Sequence, residues 1–341
     1  MGPSLDDNSL FRSYRLVVGG VCAILLAGCT HTSAGTPKEG AARVTDIVKR
    51  SEGGASDYQG EPPYPGPCIK AGDSNTDGEP EWTLARMYNR SGQVVQELYD
   101  HGADGRLDTV YDYTYESGNL VKKTKDAKAD TSVDVIETHS YDSQGNRTES
   151  AFDMNADGTP EKVFSFSYDG EGRRVGKTLD YGDDGEIDGR WQFTYDEQGN
   201  MVLEEWDQNV DGKIDEVARD RYDGQGNRIR EELDRSNNGR ADRVVVYERD
   251  SRGNLTAEEG DEDGDGEFER VIRASYEDNR RREVTVDRGD DGSIEEKTTF
   301  SYDEQGHLVR EEWDRGAEGA IDMVTTYDYS CWGVNSADSL Q

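Results

Sequence analysis

An all-β fold, built from about ten copies of one 27-residue unit, is predicted by three observations. An acidic loop opens at Asp73, Asp100, Asp126, Asp153, Asp180, Asp207, Asp234, Asp261, Asp287 and Asp314, at intervals of 26 or 27 residues. Alternating apolar and polar residues flank the loops, the pattern of a strand with one buried face. No stretch after residue 28 holds a sustained 3.6-residue apolar period. A fixed period of this size marks a repeat architecture, in which each unit buries its apolar face only against its neighbours. Two strands per unit give an antiparallel β-meander of about 20 strands over residues 68–332. That sheet is expected to be curled or folded back, with its aromatic face inward.

Residues 1–28 read as an export signal. Arg12 and Arg15 precede the apolar run "LVVGGVCAILL", Leu16 to Leu26, which is too short to span a bilayer. The run ends in "LAGC", Leu26 to Cys29, which resembles the lipobox of bacterial lipoproteins. That resemblance implies signal-peptide cleavage before Cys29, lipidation of its thiol and a membrane partner reached through the anchor. Thr30, rather than Asp, follows the cysteine, which by the same resemblance favours the bacterial outer membrane. Residues 29–67, rich in Gly, Ser, Thr and Pro and closing on "EPPYPGPC", form a tether. Residues 333–341 form a C-terminal tail.

The chain carries 74 acidic and 39 basic residues, a net charge of −35, and only 32% apolar residues. Such a balance disfavours nucleic acid, whose phosphates need Lys and Arg, and makes cations the natural counterpart. Aromatic residues recur at the repeat period, which separates the chain from a disordered acidic segment. With Cys22 removed in the signal and Cys29 lipidated, Cys68 and Cys331 remain, one just before the repeats and one just after. In an oxidising compartment they form a disulfide; two free thiols are the alternative. The disulfide would require a closed or folded-back sheet, since an open one would hold its ends roughly 90 Å apart.

One repeat shows the scheme. In "IDGRWQFTYDEQGNMVLEEWD", Ile187, Trp191, Phe193 and Tyr195 share one parity and Asp188, Arg190, Gln192 and Thr194 the other. "DEQGN" supplies turn chemistry, with Gly199 and Asn200 suited to positive φ. The next strand is expected to bury Val202 and Trp206, as Ile229 with Leu233 and Val309 with Trp313 do elsewhere. At "TYDEQGN", "RYDGQGN", "SYDSQGN" and "SYDEQGH" the chain resembles the YD-repeat (Rhs-like) family of bacterial surface and secreted proteins, from Tyr88 to about Tyr329. The resemblance implies β-hairpin repeats. The acidic loop is not part of the usual YD unit, and neither a toxin-like C-terminal domain nor an autoproteolytic core is present. The loops also resemble those of integrin-type β-propeller blades, which leaves a propeller of about five blades as the alternative fold.

The loops are candidate calcium sites, because a tight turn can converge the 6 to 8 hard oxygens that Ca²⁺ prefers. Four carry a full set of side-chain ligands at positions 1, 3, 5 and 9. These are Asp73-Asn75-Asp77-Glu81, Asp153-Asn155-Asp157-Glu161, Asp207-Asn209-Asp211-Asp215 and Asp261-Asp263-Asp265-Glu269. Position 7 adds a backbone carbonyl, from Glu79, Thr159, Lys213 or Glu267, and Gly at position 6 permits the turn. Position 12 is not the bidentate Glu of an EF-hand, and the flanks are strands. Gly102, Gly182, Gly289 and Gly316 remove one ligand each. The loop at Asp126, with Lys128 and Thr131, is expected to bind nothing. Without a metal, these are acidic turns whose charges repel.

No zinc pattern, nucleophile elbow or phosphate-binding loop is present, so an enzyme is not expected. The sequence therefore predicts a lipid-anchored, calcium-stabilised β-repeat protein of the bacterial envelope. Its role is structural or adhesive, with an envelope protein or polysaccharide as partner. The alternatives are a glycan-binding surface protein using Trp191, Trp206, Trp313 and tyrosines, and a YD-repeat remnant of a toxin-delivery protein.

Overall fold

A computed structural model describes residues 66–332, with the Cys331 side chain outside the described set. Between Ile69 and Asp328 the chain forms 20 strands in a single sheet, each antiparallel to the next. The first strand, β1 (Ile69–Asp73), also pairs with the last, β20 (Met323–Asp328), so the sheet closes on itself. This corrects the propeller alternative, which needs separate blades rather than one continuous sheet. Among the described residues there is no α-helix, only a 3-10 turn at Ser330–Trp332.

Most strands are seven residues long and alternate as the sequence predicts. In β10 (Gly189–Tyr195), Gly189 and Trp191 are buried and Phe193 and Tyr195 half-buried, while Arg190, Gln192 and Thr194 are exposed. The tyrosine-bearing face is thus the inner one. Ser165, Ser167, Arg219 and Arg221 stand on the outward face, and Ala85, Leu98 and Val110 form an apolar cluster on that face near the loop rim. No helix of the described residues is long and apolar enough to cross a membrane.

The tyrosine at the end of the even-numbered strand ties its hairpin to the preceding strand pair in seven repeats. Tyr195 Oη donates to Arg174 O at 2.8 Å and Tyr222 Oη to Met201 O at 3.0 Å. Tyr88, Tyr115, Tyr141, Tyr168 and Tyr276 do the same, always to the carbonyl 21 residues earlier. Burial pushes the Tyr222 phenol up to about 12, so it remains a donor at any physiological pH. The following Asp builds the turn. Asp196 Oδ1 accepts the Gln198 and Asn200 N–H groups, and Asn200 Nδ2 donates to Asp196 Oδ2. Only Gly199 takes positive φ there; Asn200 acts through its side chain, not through the left-handed backbone expected of it.

A β-bulge recurs at every such tyrosine. Thr194 pairs with Leu203 but Tyr195 with Met201, which leaves Val202 as the extra residue of β11 (Met201–Asp207). The same bulge skips Ile229 in β13 (Arg228–Asp234), where Arg221 pairs with Arg230 and Tyr222 with Arg228. Ile229 is consequently 39% exposed, not a buried partner of Leu233. Ile187 precedes β10 and is also exposed.

The inner face is mixed. Trp191 and Trp206 stack with ring centroids 4.9 Å apart, and Lys177 Nζ lies 3.7 Å from the Trp191 ring centroid. Arg86 Nε pairs with Glu97 at 2.8 Å, and Tyr113 Oη donates to the other Glu97 oxygen at 2.7 Å. Buried polar groups need partners, and for Arg86, Glu97 and Tyr113 the neighbouring strands supply them, while the Trp206 indole N–H is buried without a hydrogen bond.

Candidate metal centres

Every acidic loop joins an odd-numbered strand to the next even one, so all ten stand on one rim of the sheet. The YD turns occupy the other rim. Basic residues on the loop rim are few, and the Asp73, Asp153, Asp180 and Asp261 loops have none between their first and ninth positions.

The loop at Asp207 shows the local logic. Asp207 Oδ2 accepts the Gly212 N–H at 2.9 Å and Oδ1 the Asp211 N–H at 3.2 Å. Asn209 Oδ1 also accepts from Asp211, and Asp211 Oδ1 accepts from Lys213. Asp215 Oδ2 closes the ring by taking the Gln208 N–H at 2.8 Å. The first Asp is therefore a buried keystone of the turn as well as a candidate ligand. Asp100, Asp153, Asp180, Asp207, Asp234, Asp261, Asp287 and Asp314 are all buried. Each also accepts the N–H of the residue five positions on. Even Asp126 does so, from Thr131. The fold of the loop is thus independent of the ligand set. Position 4 takes positive φ in every loop, including Thr76 at 59° and Val210 at 56°, a costly conformation for a β-branched residue.

Two of the four full loops gather their carboxylates. One oxygen each from Asp261, Asp263, Asp265 and Glu269 lies within 4.8 Å of the others, and Asp73, Asp77 and Glu81 do the same. Among the described residues the acids of the Asp153 and Asp207 loops do not converge to that degree. In the first, Asn155 Nδ2 donates to Glu161 at 2.7 Å. In the second, the Lys213 amide and ammonium hold the Asp211 carboxyl below the usual carboxylate range. A hard cation at the two converged loops would find three or four carboxylates before any backbone oxygen is counted, which fits calcium's preference. At position 7, Glu79, Thr159, Lys213 and Glu267 each donate their N–H to the carboxylate at position 5, and Lys213 adds an ion pair.

The glycine-substituted loops reveal a role that the sequence reading missed. At Gly182, Gly289 and Gly316 the backbone turns to positive φ, and the N–H donates to the preceding loop. The acceptors are Glu161 O at 2.9 Å, Glu269 O at 2.7 Å and Glu295 O at 2.5 Å. Each acceptor is the ninth residue of its own loop, and in Glu161 and Glu269 the side chain is also a candidate ligand. Gly102 lacks the positive φ. Side chains add links of the same kind, Asn237 to Ile214 O and Arg240 to Gly264 O. At three of the four positions where glycine replaces a ligand the loop is docked on its neighbour, a signal visible only once the loops are placed side by side.

On the inner face His139 Nδ1 lies 2.9 Å from Ser150 Oγ, and Nε2 lies 3.3 Å from Glu137. Burial, helped by Arg147 and opposed by Glu137, lowers the His139 pKa. The connectivity is that of an acid–base relay, but Ser150 is 3% exposed and leaves no approach for a substrate atom. Cys68 is buried and disulfide-bonded. Its expected partner side chain, Cys331, and the expected lipidation site, Cys29, lie outside the described residues.

No protein-family model matches the chain, and no curated protein matches it. Among solved structures, the chain is similar to a TcdB2-TccC3 complex with Cdc42, at 15% identity and a TM-score of 0.40. That match covers 70% of this chain and 14% of the other. A Tc holotoxin pore of Photorhabdus luminescens matches at 14% identity and the same TM-score, over 70% and 13%. A porin-like protein of Bacteroides uniformis matches at 12% and 0.34, over 65% of this chain and 96% of that one. This chain therefore spans about one-seventh of the toxin chains it matches.

Proposed function

We propose that this protein is a lipid-anchored, calcium-stabilised β-repeat element of the bacterial envelope, structural or adhesive in role and without catalytic activity. The observation that carries this reading is the rim of ten acidic loops, with convergent carboxylates at Asp73 and Asp261. Like charges held this close repel, and a divalent cation offsets that repulsion. A ligand that binds only the folded state stabilises it by about 1.4 kcal/mol per tenfold excess over its dissociation constant. Several weak sites along one coupled sheet therefore add to a measurable shift.

Thermal melts at equal ionic strength test the reading. Millimolar calcium is expected to raise the melting temperature over EDTA, and magnesium to do so poorly, because it holds its water in octahedral sites. Asp265→Asn, in the loop with four carboxylates, should remove part of the gain. Identical melts in EDTA and calcium would leave the loops as hydrogen-bonded turns. The anchor is tested separately: Cys29→Ser should leave the protein unacylated and absent from the detergent phase.

A further inference from the structure

Five successive strands depart from the acidic character of the chain on their inward face. They are β5 (Asn119–Asp126), β6 (Val135–Tyr141), β7 (Arg147–Asp153), β8 (Lys162–Tyr168) and β9 (Arg174–Tyr181). Their register places Lys123, Lys125, Arg147, Lys162, Arg174 and Lys177 on that face. Among the described residues none of the six lies within ion-pair distance of a carboxylate. Glu137, the one inward acid of these strands, faces Lys123 across the ladder but lies 3.3 Å from His139 Nε2 instead. Elsewhere on the inner face Arg86, Arg228, Arg243 and Arg270 are each paired with a glutamate. The neighbours of the six cations are rings. Lys123 stands over Tyr111 and Tyr113, Lys162 over Phe164 and Tyr181, and Lys177 over Phe164 and Trp191. Arg147 and Arg174 both stand over Phe166. A ring attracts a cation without cancelling its charge. Burial, opposed by Glu204 and helped by Arg174, lowers the Lys177 pKa, as befits a cation short of counter-charge. The wall is within reach of solvent: Arg147 and Arg174 are exposed, and Lys123, Lys125, Lys162 and Phe166 are half-buried. In a chain of net charge −35, cations left without counter-ions on one wall call for an anion from outside.

We propose that this wall binds an acidic polysaccharide, one whose carboxylates are separated by neutral sugar. The five strands span roughly 20 Å, too wide for one small anion, so the ligand carries several charges in a row. Its carboxylates take the lysines and arginines in charge-assisted contacts. Its C–H faces lie along ring edges and lysine stems. A single-stranded nucleic acid fits less well, because bases stack on free ring faces and here cations already stand over Tyr111, Phe164, Phe166 and Trp191. An extended polypeptide would leave backbone groups unpaired, since the Tyr115, Tyr141 and Tyr168 hydroxyls are committed to carbonyls of the sheet. At 0.1 M salt, exposed charges more than about 10 Å away are screened, so a ligand on the wall feels the cations beside it rather than the acidic loops. Neither calcium nor the lipid anchor is required; the binding rests on the envelope reading above only for the source of the ligand.

Isothermal titration of a hyaluronan oligosaccharide, which carries one carboxylate to every two sugars, into the full chain in EDTA tests this. Binding is expected and should weaken as salt rises, whereas the neutral methyl ester of the same oligosaccharide should not bind. Arg147→Gln with Arg174→Gln should weaken binding at least roughly tenfold, the size of a lost charge-assisted contact. Lys122→Gln with Arg190→Gln removes the same charge from exposed positions on the outward face and should leave binding unchanged. Should the inward pair also lower the melting temperature, Arg147→Lys with Arg174→Lys keeps the charge and should bind as the wild type does. Absence of binding in EDTA, equal binding of the ester or an equal loss in the outward pair overturns the proposal. So does tighter binding of oligothymidylate or of oligoglutamate, which would give the wall to nucleic acid or to polypeptide. With calcium absent throughout, none of these outcomes touches the calcium reading, which the melts decide.

Discussion

Asp234 opens a loop that offers only Ser236 and Asn238 at the next two ligand positions, yet it is 1% exposed, deeper than any loop acid with a fuller set. Its two oxygens accept the Gly239 and Asn238 N–H groups at 2.8 and 3.0 Å. An amide in place of that carboxylate would present one acceptor and one donor to two donors, leaving a buried N–H unpaired. Asp234→Asn is therefore expected to cost about 1–3 kcal/mol, equally in EDTA and in calcium. Denaturant melts in both media check this. Asp265→Asn should differ, losing stability mainly in calcium. His139 gives a second residue-scale expectation. Its imidazole is held below the 6.5 of the free side chain chiefly by burial. As pH falls through 6.5 the unfolded chain takes a proton that the folded chain refuses. Stability attributable to this group is therefore full above that pH, falls below it and levels off under the lowered folded value. The wild type should lose stability between neutral pH and pH about 5 more steeply than His139→Gln does.

At the scale of the loop and hairpin, much is legible in the sequence and the exceptions have causes. Strand parity, the turn at "YDEQGN" and the tenfold period follow from residue spacing alone, because a strand's two faces and a tight turn are local properties. Ile229 departs from the expected burial because a bulge two residues from a turn shifts parity without changing composition. The role of Gly182 is hidden because it is met by Glu161 O in another repeat, 21 residues away. The pair Gly182→Ala and Gly102→Ala separates docking from mere glycine flexibility. At φ of +86° an alanine is strained and turns its N–H from the neighbouring loop, a cost of about 1–2 kcal/mol. Gly102 has no such φ and open space for a methyl group, so alanine there should leave melting unchanged or raise stability by up to about 1 kcal/mol.

For the molecule as a whole, the feature least legible in sequence is the closure between β1 and β20. The period dictates how each strand meets the next, but not where the far ends meet. The tenth repeat is split. Tyr327 of β20 faces Lys70 of β1 as Phe300 faces Glu311 within the preceding hairpin. Where that hairpin has a turn, the split repeat has the chain's two arms. The Cys68 N–H donates to Asp328 O at 2.7 Å, Trp332 Nε1 donates to Gly66 O at 2.9 Å, and Tyr88 packs on Trp332 at 4.9 Å. Peptide mapping without reductant is expected to join Cys68 to Cys331 within one molecule. A bond between molecules, or a free Cys331 thiol, would leave the arms held by hydrogen bonds alone.

That closure also bears on how the repeats decay. In an open stack the two end units have one neighbour each, and they must carry special polar faces. A ring has no end units. The degenerate loop at Asp126 and the arginine that stands in the tyrosine position at Arg249 are each flanked on both sides by intact copies, whose strands fix their register. Damage to one unit is thus buffered from two directions, and any sector of the circle is free to drift toward a new task while the others keep its shape.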